Sequence, residues 1–298
     1  MTTVEERFAG VGDVQLAYET FGDPADPPVL MVMGLGAQMI FWPEELCQML
    51  ADRGYFVIRF DNRDVGRSTK LDGHAPPPLI KLLSGELTGA PYLLGDMATD
   101  AVGLLDHLGI ERAHVVGASM GGMIAQQIAI DHPERVLSLA SIMSTTGDRA
   151  VGRPTPAAVQ ALMTAPPRDL EGYVEGFVAA RRVLGSPGFG LDEQRTRRLA
   201  ERCFGRGYFP DGTARQFAAI LASPDRTREL RGVAAPTVVI HGSDDPLIDV
   251  SGGRATAAAV PGAELVLIEG MGHDLPEGTW APIAEALARN FDRAPKDA

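Results

Sequence analysis

Short apolar runs alternate with helical patterns along most of this chain, and that alternation restricts the fold more than any other feature. A continuous apolar run is typical of a strand covered on both faces, as in a parallel sheet. The strand-length runs are VLMVM (29–33), YFVIRF (55–60), AHVVG (113–117), VLSLASIM (136–143), PTVVIHG (236–242) and ELVLIE (264–269). The helical patterns cover residues 43–54, 95–109, 120–133 and 281–291. Together they predict an α/β fold with a mostly parallel central sheet flanked by helices.

The alternation stops between residues 146 and 230, where proline and glycine breaks surround arginine-rich helical patterns. No run there resembles a buried strand, so we expect a mainly helical cap over one end of the sheet. The predicted core then consists of residues 1–145 and 231–298. The segment VQLAYETFGDPADPP is predicted to be an edge strand. A proline-rich stretch, residues 73–92, is expected to border the mouth under the cap.

Charge and cysteine content exclude several classes of protein. The 298 residues carry a formal net charge of −12, which disfavours nucleic acid or an anionic membrane surface as a partner. No apolar run approaches the roughly 20 residues of a membrane span, so no membrane span is expected. The start, MTTVEERFAG, lacks a signal-peptide pattern, which predicts a cytoplasmic protein. Cys47 and Cys203 are far apart and no cluster has metal-ligand spacing, so neither a disulfide nor a metal site is expected.

A serine lies between two glycines directly after one of the predicted strands. The sequence GASMG, residues 117–121, matches G-x-S-x-G and places Ser119 between a strand and a helical pattern. In that context the pattern is typical of a nucleophile elbow, a sharp and strained strand-to-helix turn. Glycine flanks avoid side chains that would collide with the neighbouring strands. Because the helix begins at the serine, the N–H of Met120 is predicted to bind a developing oxyanion.

A nucleophilic serine needs a base, and the base needs an acid that orients it. The strand PTVVIHG is followed by SDDPLID, which offers Asp244 and Asp245, and ELVLIE is followed by MGHDLP, which offers His273. Each follows a strand at the end where parallel sheets place their sites, in the order serine, acid, histidine. Asp245 is preferred because it directly precedes a proline that fixes the turn, and Asp249 is a weaker alternative. The predicted triad is Ser119, Asp245 and His273.

A glycine-containing loop, MGLG, follows the first parallel strand. It is not a dinucleotide fingerprint, since Met39 stands where the third glycine would be. Gly34 and Gly36 would let the backbone come close to the serine, so the N–H of Leu35 is predicted to be the second oxyanion donor. The charged stretch at residues 59–69 is predicted to form a hydrogen-bonded turn that holds this loop, without a part in the chemistry.

Apolar side chains beside these turns are expected to line the substrate pocket. The predicted pocket residues are Gly34, Met39, Trp42, Met143 and Leu275. Such a lining suits a small-molecule hydrophobic substrate, an ester with an apolar acyl group or of an aromatic polyketide.

The motifs MGLG, FDNRDVGRS, GASMGG, HGSDDP and GMGHDLP together resemble those of the α/β-hydrolase superfamily. They are spread over residues 30 to 276, and only residues 146–230 lack one, as expected for a variable cap. The wider blocks are similar to actinobacterial carboxylesterases, above all to the aclacinomycin methylesterase type. The resemblance implies an α/β-hydrolase fold, with Ser119 as nucleophile, His273 as base and then acid, and Asp245 orienting His273. One departure is Met33-Gly34, where many relatives have His-Gly.

The predicted chemistry is two-step acyl transfer through an acyl-enzyme, which needs no metal or organic cofactor. Ser119 excludes epoxide hydrolases and haloalkane dehalogenases, because those enzymes need an aspartate nucleophile. Thioesterases, carbon–carbon bond hydrolases, perhydrolases and acyltransferases use the same triad and stay open as alternatives. The alternative from another class is a ligand-binding receptor on a hydrolase scaffold. A homo-oligomer is also compatible with the sequence.

Overall fold

The central element of the structure, a computed structural model, is an eight-stranded sheet with the order β1-β2-β4-β3-β5-β6-β7-β8. The structure describes residues 5–76, 89–164 and 167–295. β2 pairs antiparallel with β1 and with β4, and the other neighbouring strands pair in parallel. The strands are β1 (Arg7–Val11), β2 (Val14–Phe21), β3 (Pro28–Val32), β4 (Phe56–Phe60), β5 (Ala113–Ala118), β6 (Val136–Ile142), β7 (Thr237–Gly242) and β8 (Glu264–Ile268).

The six strands predicted from apolar runs are present as β3 to β8, and the predicted α/β-hydrolase fold class is confirmed. One position is corrected: the predicted edge strand is β2, which lies second from the edge. β1 covers it, and β1 itself escaped the sequence patterns because only Ala9 of its five residues is buried. The proline-rich stretch predicted to border the mouth falls largely on residues 77–88, outside the described residues.

Both faces of the sheet are covered by helices, which explains the continuous apolar runs. Leu30 and Val32 of β3 belong to a core cluster under α2 and α3, whereas Val29 and Met31 belong to a second cluster under α1 and α9. Successive strand residues point to opposite faces, so a strand buried on both sides needs apolar residues at every position. The helices are α1 (Glu44–Ala51), α2 (Leu94–His107), α3 (Met120–Asp131), α4 (Pro156–Met163), α5 (Leu170–Leu184), α6 (Glu193–Arg206), α7 (Pro210–Ala222), α8 (Val250–Ala259) and α9 (Glu277–Phe291).

Helices α4 to α7 follow one another between β6 and β7. Side-chain caps begin three of them: Thr155 accepts from the N–H of Ala158, Asp169 from Gly172, and Asp192 from Arg195. Across the described ranges, no helix combines the length and the apolar character needed to cross a membrane.

Candidate active site

Ser119 lies at the sharp turn between β5 and α3, with a backbone φ of +56° and ψ of −123°. A residue with a side chain rarely adopts a positive φ, so the turn holds this serine in a strained conformation. Glycine is required at both flanking positions because a side chain would not fit there. A Cβ on Gly117 would overlap the carbonyl group of Gly121, and one on Gly121 would overlap the carbonyl oxygen of Val32. The turn has the geometry of a nucleophile elbow.

Three side chains from separate turns form one hydrogen-bonded chain at the carboxyl edge of the sheet. The Nε2 atom of His273 lies 2.9 Å from Oγ of Ser119, and its Nδ1 atom lies 2.7 Å from Oδ2 of Asp245. Asp245 follows β7 and His273 follows β8. Parallel strands end at the same edge, so residues more than a hundred positions apart in sequence meet there. The structure therefore brings together the three residues of the predicted triad.

The carboxylate of Asp245 is fully shielded from solvent and accepts several hydrogen bonds. Its Oδ1 atom accepts from the N–H groups of Leu247 at 2.8 Å and Ile248 at 2.9 Å. Burial acts to raise the pKa of Asp245, but the His273 ring and the hydrogen bond from Ile248 outweigh burial and hold the pKa below its ordinary value. The ionised carboxylate can only accept, so Nδ1 of His273 donates to it. Nε2 is then the ring nitrogen that can take the proton of Ser119.

The other two candidate acids have different contacts. Asp244 is exposed and accepts from the hydroxyl of Ser243 at 2.6 Å and the N–H of Gly270 at 3.1 Å. Asp249 caps α8, accepting from the N–H of Ser251 at 3.0 Å. Of the three acids considered from the sequence, Asp245 is the one that contacts His273.

Replacing Asp245 with asparagine is expected to lower kcat/KM by about 10³- to 10⁴-fold, because the amide can donate to Nδ1 and favour the wrong histidine tautomer. Asp244→Asn, one residue away and solvent-exposed, is the matched control and should change the rate less than about twofold. Equal losses in the two variants would contradict the assignment.

In the wild type, the depressed pKa means that the stability from ionised Asp245 is lost only as pH falls below the ordinary value of 3.8.

Two backbone N–H groups beside Ser119 have no acceptor within the described part of the chain. They belong to Leu35, in the turn after β3, and to Met120, the first residue of α3. Gly34 lies so close that a Cβ there would stand 3.0 Å from Cβ of Ser119. Free N–H groups from the two turns that meet at a nucleophilic serine are the kind of donors that bind an oxyanion.

The turn that carries Leu35 is held by two side-chain amides. Asn62 donates from Nδ2 to the carbonyl of Met33 at 2.9 Å. Gln216, from α7, accepts from the N–H of Gly36 at 2.8 Å and donates to the carbonyl of Arg63 at 2.7 Å. The sequence predicted that the charged stretch containing Asn62 would hold this turn. It did not identify Gln216, which lies in a region without a motif.

A cavity of about 650 Å³ opens at Ser119 and His273. Gly34, Met143 and Leu275, predicted to line the pocket, are in its wall, as are Leu35 and Met120. The rest of the wall is mainly apolar and comes largely from α4, α5 and α7, namely Leu162, Met163, Phe177, Ala180, Leu184, Phe217, Ile220 and Leu221. Sequence reasoning missed these residues because periodic apolar positions do not show which helix faces a cavity.

Two predicted pocket positions are corrected. Met39 is fully buried in a separate cluster with Tyr173 and Cys203, and its N–H donates to Oδ1 of Asp61 at 2.6 Å. Trp42 is fully buried in the core under α1 and α9. The 3₁₀ turn over Met39–Phe41 places both side chains in the packed interior, and of this segment Phe41 reaches the cavity wall.

In the described ranges, no group of three His, Cys, Asp or Glu residues is arranged to hold a metal ion.

The sequence profile of the α/β-hydrolase fold family matches residues 27–277, and the chain belongs to that family. It is 32% identical to rhodomycin D methylesterase DauP of Streptomyces sp. (strain C5), over 94% of this chain and 96% of that protein. It is 30% identical to the putative carbamate hydrolase RutD of Variovorax paradoxus (strain S110), over 92% and 93%. The solved enol-lactonase of Burkholderia xenovorans LB400 matches its fold with a TM-score of 0.75 at 22% identity, covering 96% of this chain and 100% of that one. The resemblance seen in the motifs is confirmed, and the chain is an enzyme of the hydrolase class.

Proposed function

We propose that this enzyme hydrolyses a carboxylic ester through an acyl-enzyme formed on Ser119. The observation that carries the proposal is the continuous Ser119–His273–Asp245 hydrogen-bond chain, with links of 2.9 Å and 2.7 Å, in the wall of an apolar cavity. The free N–H groups of Leu35 and Met120 support it, because acyl transfer develops negative charge on the carbonyl oxygen.

In the proposed mechanism, Oγ of Ser119 attacks the ester carbonyl carbon while Nε2 of His273 takes the hydroxyl proton. The tetrahedral oxyanion accepts hydrogen bonds from the N–H groups of Leu35 and Met120. His273 then gives the proton to the leaving alcohol, and the acyl group stays on Ser119. Water, deprotonated by His273, attacks the acyl-enzyme by the same route and releases the acid. Asp245 keeps the imidazole oriented and stabilises its charged form.

The proposed substrate is a methyl ester of a hydrophobic or polyketide acid. Support comes from the apolar cavity wall and from the relative named as a rhodomycin D methylesterase. A methyl ester has a small leaving alcohol, so most of the cavity volume would be available to the acyl part. We also propose that residues 146–230 form a cap, because α4, α5 and α7 supply much of the wall above Ser119. A cytoplasmic location belongs to the same proposal.

Hydrolysis of p-nitrophenyl esters of increasing acyl length, followed by methyl esters of aromatic polyketide acids, tests this function. We expect saturable hydrolysis and covalent labelling of Ser119 by a fluorophosphonate, with the label located by peptide mass. Labelling without hydrolysis of any ester would overturn ester hydrolysis and leave a thioesterase, a carbamate hydrolase or a receptor. A protein that is neither labelled nor active would contradict the triad itself.

A further inference from the structure

Arg181, on α5, lies between two cavities. It lines the cavity at Ser119 and also a second cavity of about 910 Å³ on the side of α1 and α6. Phe41, Asp274 and Leu275 line both cavities as well, so these four residues form the partition between them. Asp274 and Leu275 directly follow His273 in sequence, which places the partition beside the triad.

The guanidinium of Arg181 has no hydrogen-bond acceptor among the described residues. It lies over the rings of Phe41 at 5.3 Å and Phe177 at 5.6 Å. Its closest carboxylate oxygen, on Asp274, is 3.7 Å away, beyond hydrogen-bond distance. Asp274 accepts instead from the hydroxyl of Ser186 at 2.5 Å. The five N–H donors of the guanidinium therefore lie beside two aromatic rings and the cavities, and no oxygen of the described residues accepts a hydrogen bond from them.

Two more deeply buried arginines of this chain donate to carboxylates. Arg59 donates to Glu19 at 2.5 Å, and Arg215 donates to Asp64 at 2.6 and 2.8 Å. The side chain of Arg181 is 19% exposed, and partial burial lowers the pKa of its guanidinium because a cation loses hydration there. A partly buried cation that lines a cavity and has no hydrogen-bond acceptor from the described residues can bind a ligand that supplies the oxygens.

The cavity at Ser119 also has an excess of positive charge, although the chain as a whole carries a net charge of −12. The charged side chains in its wall, apart from His273, are Arg149, Arg153, Arg181, Arg226, Asp148 and Asp274. Arg149 and Arg153 are exposed and form no ion pair within the described residues. A positive mouth in an acidic protein favours the entry of an anion.

We propose that Arg181 is a specificity-determining residue that binds an acidic oxygen group, a carboxylate or an ionised phenol, on the acyl part of the ester substrate. The planar fork of the guanidinium suits two oxygens at once, and the Phe41 and Phe177 rings keep that fork oriented. The inference rests on the proposed ester hydrolysis and adds the class of ester: one that is apolar over most of its length and acidic at a second point.

The test compares two substrates with equal numbers of heavy atoms. The p-nitrophenyl monoester of glutaric acid carries a carboxylate at the far end, and p-nitrophenyl 5-methylhexanoate carries an isopropyl group there. For Arg181→Met, which keeps an apolar stem beside the two rings, we expect kcat/KM for the acidic ester to fall by about 10- to 100-fold. The neutral ester should change by less than about threefold, since it has no group for the guanidinium.

Arg182→Met is the matched control, because Arg182 is the next residue, is exposed and pairs with Glu193 at 2.7 Å. It should leave the ratio of the two kcat/KM values unchanged, and Arg181→Lys should give an intermediate ratio. All rates are divided by the fraction of Ser119 that a fluorophosphonate labels, so partial misfolding does not alter the ratio. If Arg181→Met fails to fold, Arg181→Lys alone decides, since it keeps the charge and loses the fork.

An unchanged ratio in the Arg181 variants, or an equal loss for both esters, would assign Arg181 a packing role and overturn the inference while leaving ester hydrolysis in place. If the wild type hydrolyses neither ester faster than Ser119→Ala does but hydrolyses other esters of the series, the inference alone fails; if it hydrolyses no ester at all, the proposed function fails with it.

Discussion

Ser119→Ala is expected to lower kcat/KM for a p-nitrophenyl ester by about 10⁴- to 10⁶-fold. The substitution removes the oxygen that lies 2.9 Å from Nε2 of His273 and leaves no other hydroxyl in that hydrogen-bond chain. The remaining rate should come from binding and from the N–H groups of Leu35 and Met120, which act on water attack as well. Initial rates at saturating ester give kcat, and initial rates at sub-saturating ester give kcat/KM.

Ser144→Ala is the matched control for this variant. Ser144 donates to the backbone carbonyl of Ser119 at 2.8 Å, so it contacts the same turn without contacting His273. Its loss should cost about 1 kcal/mol of stability and change the rate less than about fivefold. Both variants should keep the wild-type circular dichroism spectrum. A Ser119→Ala protein that retains more than a tenth of the wild-type rate would remove Ser119 as the nucleophile.

Gly121→Ala is expected to lower the free energy of unfolding by more than about 3 kcal/mol, or to prevent folding. The added Cβ would overlap the carbonyl oxygen of Val32, a backbone atom of a central strand that cannot move without breaking its ladder. Overlap with backbone is not relieved by a rotamer change, unlike overlap with a flexible side chain. Denaturant unfolding followed by tryptophan fluorescence measures the change.

Gly205→Ala is the control for the effect of the methyl group itself. Gly205 is exposed on α6, and a Cβ there meets no atom within 4 Å. The substitution should leave stability unchanged or raise it by up to about 1 kcal/mol, because alanine loses less backbone freedom on folding. A Gly121→Ala protein as stable as Gly205→Ala would contradict the close contact between α3 and β3.

The order of elements and the triad could be predicted because local signals carry them. Strands buried on both faces must be apolar at every position, as in VLMVM, and a helix that begins at a strained turn needs glycine at positions such as 117 and 121. Since the carboxyl ends of parallel strands lie at one edge of the sheet, Ser119, Asp245 and His273 could be placed together without knowing any distance.

Edge strands and cavity walls are less predictable. β1 is mostly exposed, so its five residues lack the apolar continuity that marks β3 to β8. Met39 and Trp42 follow the predicted oxyanion turn closely, yet one 3₁₀ turn carries both into packed interior. A rotation of a few tens of degrees decides whether such a side chain lines a cavity or fills the core, and no local pattern encodes it.

By itself the sequence determined the fold class, the elbow at Ser119 and the pair of turns that hold Asp245 and His273, because each depends on residues adjacent in the chain. The tertiary structure decided that Gln216 holds the turn of Leu35, and that the partly buried Arg181 has no hydrogen-bond acceptor among the described residues. Those two facts depend on side chains that are far apart in sequence and meet only when the helices between β6 and β7 pack onto the sheet. Long-range packing is the physical reason they could not be predicted from the chain alone.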